Sequence, residues 1–343
     1  MDKVNAVINK QFRKMKQLNL SFKLNNEDML NFCKAKVLYY VRRVLLYLLL
    51  LDLSYVFIYP VIHMVITSLK DMQDFMDITI RWIPNRAFYE NYKLALTLLD
   101  YKTGFFNSLI ITVLCTTGHL ISASFIGYGF ARYKFPGHNF LFGIVILSII
   151  IPVQVIIVPL FYEFTQLFGL LDSRIPIILP TFFGYGLRGG LYVFLFRQYF
   201  INLPKELEEA AKIDGCGKIR THFKIILPVA ASVCMVTVVL SMVWHWNDHF
   251  EPRVYLFTSK KQTLMHGLPK LFADLEKIKE SLLSGDKSKV TFSDEMADKF
   301  LKEVSINAVL MAAVNVSILP VLIVYGFLQK KFVQGIESAG IKG

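Results

Sequence analysis

The sequence predicts an all-α membrane protein with six transmembrane helices, because its apolar residues are concentrated in long blocks. The chain is 54% hydrophobic and has a mean hydropathy of +0.46, whereas soluble domains contain about 45–50% apolar residues. A helix needs about 20 mostly apolar residues to cross the hydrocarbon layer. Blocks of this length are too long for barrel strands, and only helices or closed barrels satisfy their backbone in lipid. The blocks that qualify are 37–67, 107–130, 140–161, 175–200, 229–249 and 304–328.

Basic residues predict which ends of these helices face the cytoplasm, because cytoplasmic loops are enriched in Lys and Arg. Residues 1–36 form a polar, basic lead, and Arg42 and Arg43 lie at the start of the first block. Lys and Arg are also modestly more frequent in the segments that would then be inside. We therefore predict cytoplasmic N and C termini. The outside loops are then 68–106 and 250–303, and the cytoplasmic tail is 329–343.

Charge, cysteine content and missing motifs argue against several other classes of protein. The net charge is +12, but the basic residues are not gathered in a soluble domain, so we expect contact with the anionic lipid bilayer and not with nucleic acid. No cysteine falls in a predicted outside loop, so we expect no disulfide. The chain lacks the sequence G-x-x-x-x-G-K-[ST] and any evident nucleophile–base–acid set. We therefore expect no catalytic residue and no cofactor bound by this chain.

Polar residues inside the apolar blocks leave alternatives open. Asp52 is either a buried polar contact or a residue near the end of an over-long block. His245 and His249 have a spacing that could suit a metal, but an aromatic and polar belt at the membrane interface is favoured, and we expect no metal. The run GLRGGLY places Arg188 beside glycines in the fourth block. Either the helix bends there around a polar path, or Arg188 reaches the interface or pairs inside the bundle.

A polar segment, residues 203–228, separates the fourth and fifth blocks and is called the knob below. Acids lie near the start of its predicted first helix, where the positive end of the helix dipole favours anions. Gly215 is placed to end that helix in a left-handed conformation. We interpret the segment as a rigid pair of helices on the inner side, acidic on one side and apolar on the other. The acids are Glu206, Glu208 and Glu209, and the second helix, 218–226, carries Ile219, Phe223 and Ile226 on one face.

Within the knob, the run EAAKIDGCGKIRTHFKIILP resembles the EAA motif of ATP-binding-cassette (ABC) importer permeases. The match combines Glu-Ala-Ala, Gly, Ile and Leu-Pro at fixed spacing between two predicted spans. It implies docking of a partner ATPase, with Glu209 as the main charged contact, Ala210 and Ala211 as a site of close approach, and Gly215 setting the angle between the helices. The residues that the motif marks are Glu209, Ala210, Ala211, Asp214, Gly215, Ile225, Leu227 and Pro228.

Other segments are similar to the second membrane subunit of maltose-type carbohydrate-uptake permeases. They include FFNSLIITVL (105–114), GYGFARYKFPG (127–137), IIPVQVIIVPLF (150–161) and WHWNDHF (244–250), and the C-terminal run resembles a Gram-positive branch associated with complex oligosaccharides. The resemblance implies a type I ABC importer transmembrane domain in a bacterial plasma membrane. The implied partners are a second, related permease subunit in a heterodimer, two ATPase subunits that carry ATP and Mg²⁺, an extracellular solute-binding protein and a sugar. The lead 1–36 and the loop 270–303 depart from the usual pattern.

A sugar path needs polar groups within the bundle, although helix–helix packing uses the same residue types. The candidates are Asn107, Ser108, Gln154, Tyr185 and Arg188.

The residue pattern of the long loop 250–303 predicts two amphipathic helices broken at Ser284-Gly285. We hypothesise that this loop contacts the external binding protein.

Two other readings of the whole chain stay open. A secondary transporter working alone would need intramembrane charges in paired half-repeats, and the sequence shows no repeat. A scaffold or exporter component without cargo specificity is the other class. Within the importer reading, a non-sugar solute such as glycerol phosphate is the alternative cargo.

Overall fold

The computed structural model describes residues 26–77, 79–80, 82–284 and 294–340, and these residues form helices and connecting segments without a strand. Most of the predicted basic lead lies outside the described residues. The helices are α1 Asn26–Ser68, α2 Met72–Met76, α3 Glu90–Leu98, α4 Tyr101–Arg132, α5 His138–Ile150, α6 Val153–Tyr162, α7 Ile175–Ile178, α8 Gly189–Ile201, α9 Glu206–Ile213, α10 Lys218–Thr221, α11 Leu227–Val229, α12 Ala231–Asn247, α13 Phe250–Tyr255, α14 Leu264–Leu283, α15 Asp294–Glu303 and α16 Ile306–Gly340. The π-helical turns are Glu163–Leu167 and His222–Ile226, and the 3₁₀ turns are Leu179–Phe183 and Ser259–Lys261.

Three described helices are long and apolar enough to cross a membrane: Lys36–Ser68 within α1, α4, and Ile306–Gln334 within α16. Two sharply bent helix pairs are apolar enough to be either broken spans or re-entrant loops: His138–Ile150 with Val153–Leu167 at 103° and Lys218–Val229 with Ala231–Asn247 at 81°. Pro152 lies at the first bend, where it cannot donate a backbone hydrogen bond. The block 175–200 is divided among α7, a 3₁₀ turn and α8. An all-α membrane fold is therefore confirmed, and the count of six spans stays a prediction.

The chain divides into two compact units, 1–62 and 63–343. In the first unit, α1 is a continuous helix whose side chains are exposed along nearly all of residues 36–62. The helix is mostly apolar in this stretch, with Arg42, Arg43 and Asp52 among its charged exceptions, and it contains Pro60. A helix that is apolar on every side is typical of a membrane span.

The core of the second unit is built around α4, which packs against α8 and α12. Glycine allows the closest approach: a Cβ on Gly127 would lie 2.7 Å from Phe196 Cβ and 2.9 Å from Arg197 N. Such small-residue contacts let helix backbones approach each other in membrane bundles. Tyr192 and Phe200 on α8 are fully buried in this core.

A separate hydrophobic cluster joins α3, α14 and α16. Leu271 and Leu275 on α14 are buried in it, together with Leu94 on α3 and Phe300 on α15. The two helices predicted within the 250–303 loop are thus confirmed. The first of them ends at Leu283, and Gly285 of the predicted break lies outside the described residues.

Candidate functional site

The first helix of the knob, α9, ends in the turn that the sequence predicts. Gly215 has a φ of +74°, a conformation that glycine adopts without steric cost. The Cys216 amide donates to the Ala211 carbonyl at 2.9 Å, and the Gly215 amide donates to the Lys212 carbonyl. These bonds satisfy carbonyls that would otherwise be orphaned at the end of the helix.

A buried ion pair fixes α9 to the end of α4. Arg132 Nε lies 2.6 Å from Glu208 Oε1, and the two side chains are 4% and 23% exposed. Arg132 Nη2 also donates to the Leu203 carbonyl at 2.7 Å. One guanidinium therefore holds both Leu203, which precedes α9, and Glu208, which lies in its first turn. The EAA-like motif marks Glu209 and not Glu208 as the main charged contact, and no sequence pattern singles out Arg132.

The second half of the knob is anchored in the core by the buried imidazole ring of His222. The predicted helix 218–226 is an α-helical turn, α10, followed by a π-helical turn. His222 in the π turn is fully buried, and its ring packs against the rings of Tyr128, Phe200 and Phe223 at centroid distances of 4.9, 6.1 and 4.9 Å. The His222 Nε2 atom lies 3.5 Å from Ser124 Oγ.

The exposed surface of the knob differs in part from the predicted one. Glu209 and Ala210 are exposed, but Ala211 is only 2% exposed and packs inward. We therefore correct the interpretation of both alanines as an open patch. The predicted apolar face is also divided, because Ile226 is buried whereas Ile219 and Phe223 are exposed.

Two apolar residues of the knob are exposed to an unusual degree. Ile213 at the end of α9 is 86% exposed and Ile219 is 65% exposed. Ile219 and Phe223 line a shallow groove together with Lys218, Arg220 and Lys224. The remaining motif positions are distributed as follows: Asp214, Gly215 and Pro228 are exposed, and Ile225 and Leu227 are half-buried.

At the opposite end of α4, two predicted path residues bind backbone. The Asn107 amide donates to the Lys260 and Gln262 carbonyls at 2.9 Å each, and its oxygen accepts from Arg174 at 2.5 Å. The Ser108 hydroxyl accepts from the Leu264 amide at 3.0 Å. Both side chains are buried, and their contact with cargo stays a prediction.

At the same end of α4, Asp172 joins the loop before α7 to residues 257–261. Its carboxylate accepts from the Phe257 and Thr258 amides and from the Thr258 hydroxyl, and Lys261 Nζ lies 3.1 Å away. The Thr258 hydroxyl is the main cause that holds the pKa of this carboxyl well below its ordinary value, and the backbone amides and Lys261 act in the same direction.

The fourth apolar block is interrupted before α8. Gly184, Gly186 and Arg188 have φ values of +75°, +103° and +63°, so the chain turns sharply there, and the polar path that one alternative for GLRGGLY placed at this bend stays a prediction. The Arg188 side chain is exposed, and its guanidinium carbon lies 4.5 Å from the centroid of the Trp244 ring. Tyr185 in the same turn and Gln154 at the start of α6 are also exposed.

Two residues of the predicted interfacial belt, His245 and Trp246, face the interior, whereas Asn247 and His249 are exposed and the belt stays a prediction for them. His245 and Trp246 are each 4% exposed. The His245 ring stacks on His119 at 5.3 Å, and Trp246 Nε1 donates to the Ser317 carbonyl. Sequence reasoning missed His119 and Trp244, since a lone histidine or tryptophan in an apolar run carries no distinctive local signal. In the described part of the chain, no cluster of His, Cys, Asp and Glu is arranged to hold a metal.

These features define a multi-pass helical membrane protein in which the EAA-like segment forms a discrete surface element. The chain belongs to the family of binding-protein-dependent transport system inner membrane components, whose family model matches residues 123–338. The predicted membership in this family is confirmed.

Individual relatives cover most of the chain. The arabinooligosaccharides transport system permease protein AraQ of Bacillus subtilis is 28% identical over 306 residues, which are 88% of this chain and 97% of AraQ. The polygalacturonan/rhamnogalacturonan transport system permease protein YtcP of the same species is 28% identical over 300 residues, covering 87% and 97% of the two chains.

A solved structure shares the fold. It is a bacterial ABC transporter involved in the import of the acidic polysaccharide alginate, and it matches with a TM-score of 0.68 at 23% identity over 85% of this chain and 96% of that one. The predicted importer-type transmembrane fold is confirmed by this likeness.

Proposed function

We propose that the chain is the permease subunit of an ATP-driven, binding-protein-dependent importer that carries an oligosaccharide across the bacterial plasma membrane. The knob is proposed to couple the bundle to separate ATPase subunits. ATP and Mg²⁺ are then bound by those partners, and this chain is not itself an enzyme. Membership in the family favours this function over a secondary transporter.

The knob is the observation that carries the coupling proposal. Its base is fixed by the Arg132–Glu208 ion pair and by the buried His222 ring. Its tip exposes the acid Glu209 and the apolar side chains of Ile213 and Ile219. A rigid base with an exposed acidic and apolar tip suits a contact with another protein, because covering exposed apolar side chains lowers the free energy.

The proposed cargo rests on the relatives. AraQ and YtcP are named for the transport of arabinooligosaccharides and of polygalacturonan and rhamnogalacturonan. Their chains align with this one over nearly their full length. We propose an oligosaccharide for this chain, without distinguishing neutral from acidic sugars on this ground.

The remaining proposed partners follow from the same function. They are a second, related permease subunit and an extracellular solute-binding protein, with the N and C termini in the cytoplasm. On α14, Leu271 and Leu275 are buried in the core, so a contact between this helix and the binding protein would use exposed residues such as Phe272. Cross-linking from a Phe272→Cys variant to the binding protein measures that contact, and its failure with an active importer would remove α14 from the proposal.

The coupling proposal is tested by reversing the charge of Glu209. We expect Glu209→Lys to reduce ATPase co-purification and substrate-stimulated ATP hydrolysis by about 10-fold, since a like charge placed opposite a basic partner site opposes binding. Glu206→Lys is the matched control, because Glu206 is exposed on the same helix and the change of charge is identical.

The two variants separate docking from general electrostatics. Loss in Glu209→Lys alone supports a specific contact. Equal loss in both variants would mean that docking depends on the net charge of the knob and not on a specific contact of Glu209. Normal co-purification and normal stimulated hydrolysis in Glu209→Lys would contradict the coupling role of this residue.

A further inference from the structure

An exposed guanidinium lies within the membrane part of the second unit. The start of α8 is level with His119 of α4, because a Cβ on Gly189 would lie 3.5 Å from His119 Cε1. His119 is 13 residues from Arg132 at the end of α4, which is roughly 20 Å along the helix. A hydrocarbon slab of ~30 Å measured from Arg132 therefore includes the turn that carries Arg188.

Within the described residues, Arg188 has no carboxylate partner in an ion pair, and its side chain is exposed. Its guanidinium lies over the Trp244 ring at 4.5 Å, and the indole is itself 41% exposed. An indole face attracts a cation but leaves the edge of the guanidinium free to donate hydrogen bonds. Ionisable groups at this depth are costly and mark substrate pathways or pairing sites.

The backbone adds to the positive character of this place. Arg188 is the residue before the first turn of α8, a helix of 13 residues, and the positive end of the helix dipole points toward it. Arg188 also holds a left-handed φ of +63°, which is uncommon for a residue with a long side chain. The turn thus fixes the cation beside Trp244.

Unpartnered polar groups lie next to the same turn. Both ring nitrogens of His245 lack a hydrogen-bond partner within the described structure, although His245 is only 4% exposed. His245 stacks on His119, which in turn packs on Tyr192 at 4.8 Å. Buried polar groups are normally satisfied, so this cluster is suited to polar contacts that the isolated chain does not provide.

We propose that Arg188 and Trp244 form a recognition point for an oligosaccharide that carries a carboxylate, namely a uronate-containing cargo. A planar guanidinium binds a carboxylate through two parallel hydrogen bonds. The adjacent indole offers a flat apolar face against which a sugar ring can stack. This inference rests on the proposed function and names the class of cargo at one point of its path.

The test uses the complete importer in proteoliposomes with its binding protein and ATPase subunits. Uptake is measured for oligogalacturonides and oligomannuronates and for the same oligosaccharides after reduction of each carboxyl group to an alcohol. We expect the wild type to prefer the acidic forms. Arg188→Gln should lose about 10-fold or more of the uptake of the acidic forms, the effect of one charge-assisted pair, and should reduce the uptake of the reduced forms far less.

Two further variants separate the guanidinium from the indole. Arg188→Lys keeps the charge but loses the paired geometry, so it should retain part of the preference for acidic cargo. Trp244→Phe should retain most uptake, whereas Trp244→Ala should reduce the uptake of both forms. Equal effects of Trp244→Ala and Trp244→Phe would contradict stacking on the indole.

Other outcomes overturn the inference in distinguishable ways. If Arg188→Gln loses the partner permease during purification, Arg188 pairs with an acid of that subunit and not with cargo. If glycerol phosphate or a sugar phosphate is carried in preference to the uronates, the anion is a phosphate. Uptake of the acidic oligosaccharides that is indifferent to Arg188, or a wild-type preference for the neutral forms, would overturn the inference but leave the proposed function intact. Failure to carry any saccharide, neutral or acidic, would count against the proposed function itself.

Discussion

The two ends of α4 are built in opposite ways. At the Arg132 end, one ion pair and one buried imidazole hold the base of the knob, and its tip leaves Ile213 exposed. At the Tyr101 end, Asn107 and Ser108 donate to or accept from the backbone of the segment that they face, and the connection is closed.

The two ends of α4 differ in which groups their polar side chains contact. At the closed end, side chains satisfy backbone groups of residues 257–264, which leaves few unsatisfied donors for a partner. At the knob end, the polar contacts are confined to the base, and the tip keeps an acid and apolar side chains in the open. One helix therefore supports a closed connection at one end and an exposed acidic and apolar tip at the other.

The largest expected effect comes from breaking the base of the knob. Glu208→Gln would leave the guanidinium of Arg132, which is 4% exposed, without its carboxylate, and removing one partner of a buried pair costs about 3 kcal/mol. We expect faster hydrogen exchange across α9 and a lower thermal midpoint of the purified importer. Glu206→Gln is the control, since Glu206 is exposed on the same helix.

A double variant sharpens this prediction. Arg132→Met combined with Glu208→Leu removes both charges and should recover most of the lost stability, because no unpaired charge is then buried. If Glu208→Gln behaves like Glu206→Gln, the ring packing around His222 alone holds the knob.

An intermediate effect is expected where α4 touches α8 by backbone. Gly127→Ala would place a Cβ 2.9 Å from Arg197 N and 3.0 Å from the Val193 carbonyl, and overpacking of this kind costs about 1–3 kcal/mol. Gly129→Ala is the matched control on the same helix, because a Cβ there meets no atom within 4 Å. Thermal unfolding of the two variants compares them directly, and equal midpoints would show that the helices separate without cost.

Local pattern was sufficient to predict some features of the molecule. The apolar blocks indicate long helices because lipid requires about 20 apolar residues for each span, and α4 and α16 follow. Gly215 could be placed in a left-handed turn because only a residue without a Cβ adopts it freely. The contact of the knob with an ATPase came from the motif alone and stays a prediction.

Orientation of side chains could not be predicted in the same way. Glu208 and Glu209 are adjacent acids on a short helix, and only the position of α4 determines that Glu208 turns inward to Arg132. Ala211 is buried for the same reason. Asn107 has a residue type that suits both a sugar contact and a structural anchor, and the two carbonyls to which it donates lie more than 150 residues away in the chain.

The smallest expected effect is at the closed end of α4. Asp172→Asn keeps the shape of the side chain and tolerates the left-handed backbone, where φ is +52°, but weakens the contacts with Thr258 and Lys261. Because these contacts are partly exposed, we expect only about a 5-fold increase in hydrogen exchange at the Phe257 and Thr258 amides. Asp100→Asn is the control, since Asp100 has a φ of +43° and makes no side-chain capping bond.

The pH dependence of this difference follows from the lowered pKa of Asp172. The unfolded carboxyl titrates at about 3.9, and the folded one titrates below that value. The stabilisation by the carboxylate is therefore fully present above about pH 4 and is lost as the pH falls through the folded pKa. The advantage of the wild type over Asp172→Asn should be constant from neutral pH down to about 5 and shrink below 4. An advantage that grew on acidification would mean that the protonated carboxyl makes the stronger contact, and the closed end would then depend on neutral hydrogen bonds and not on charge.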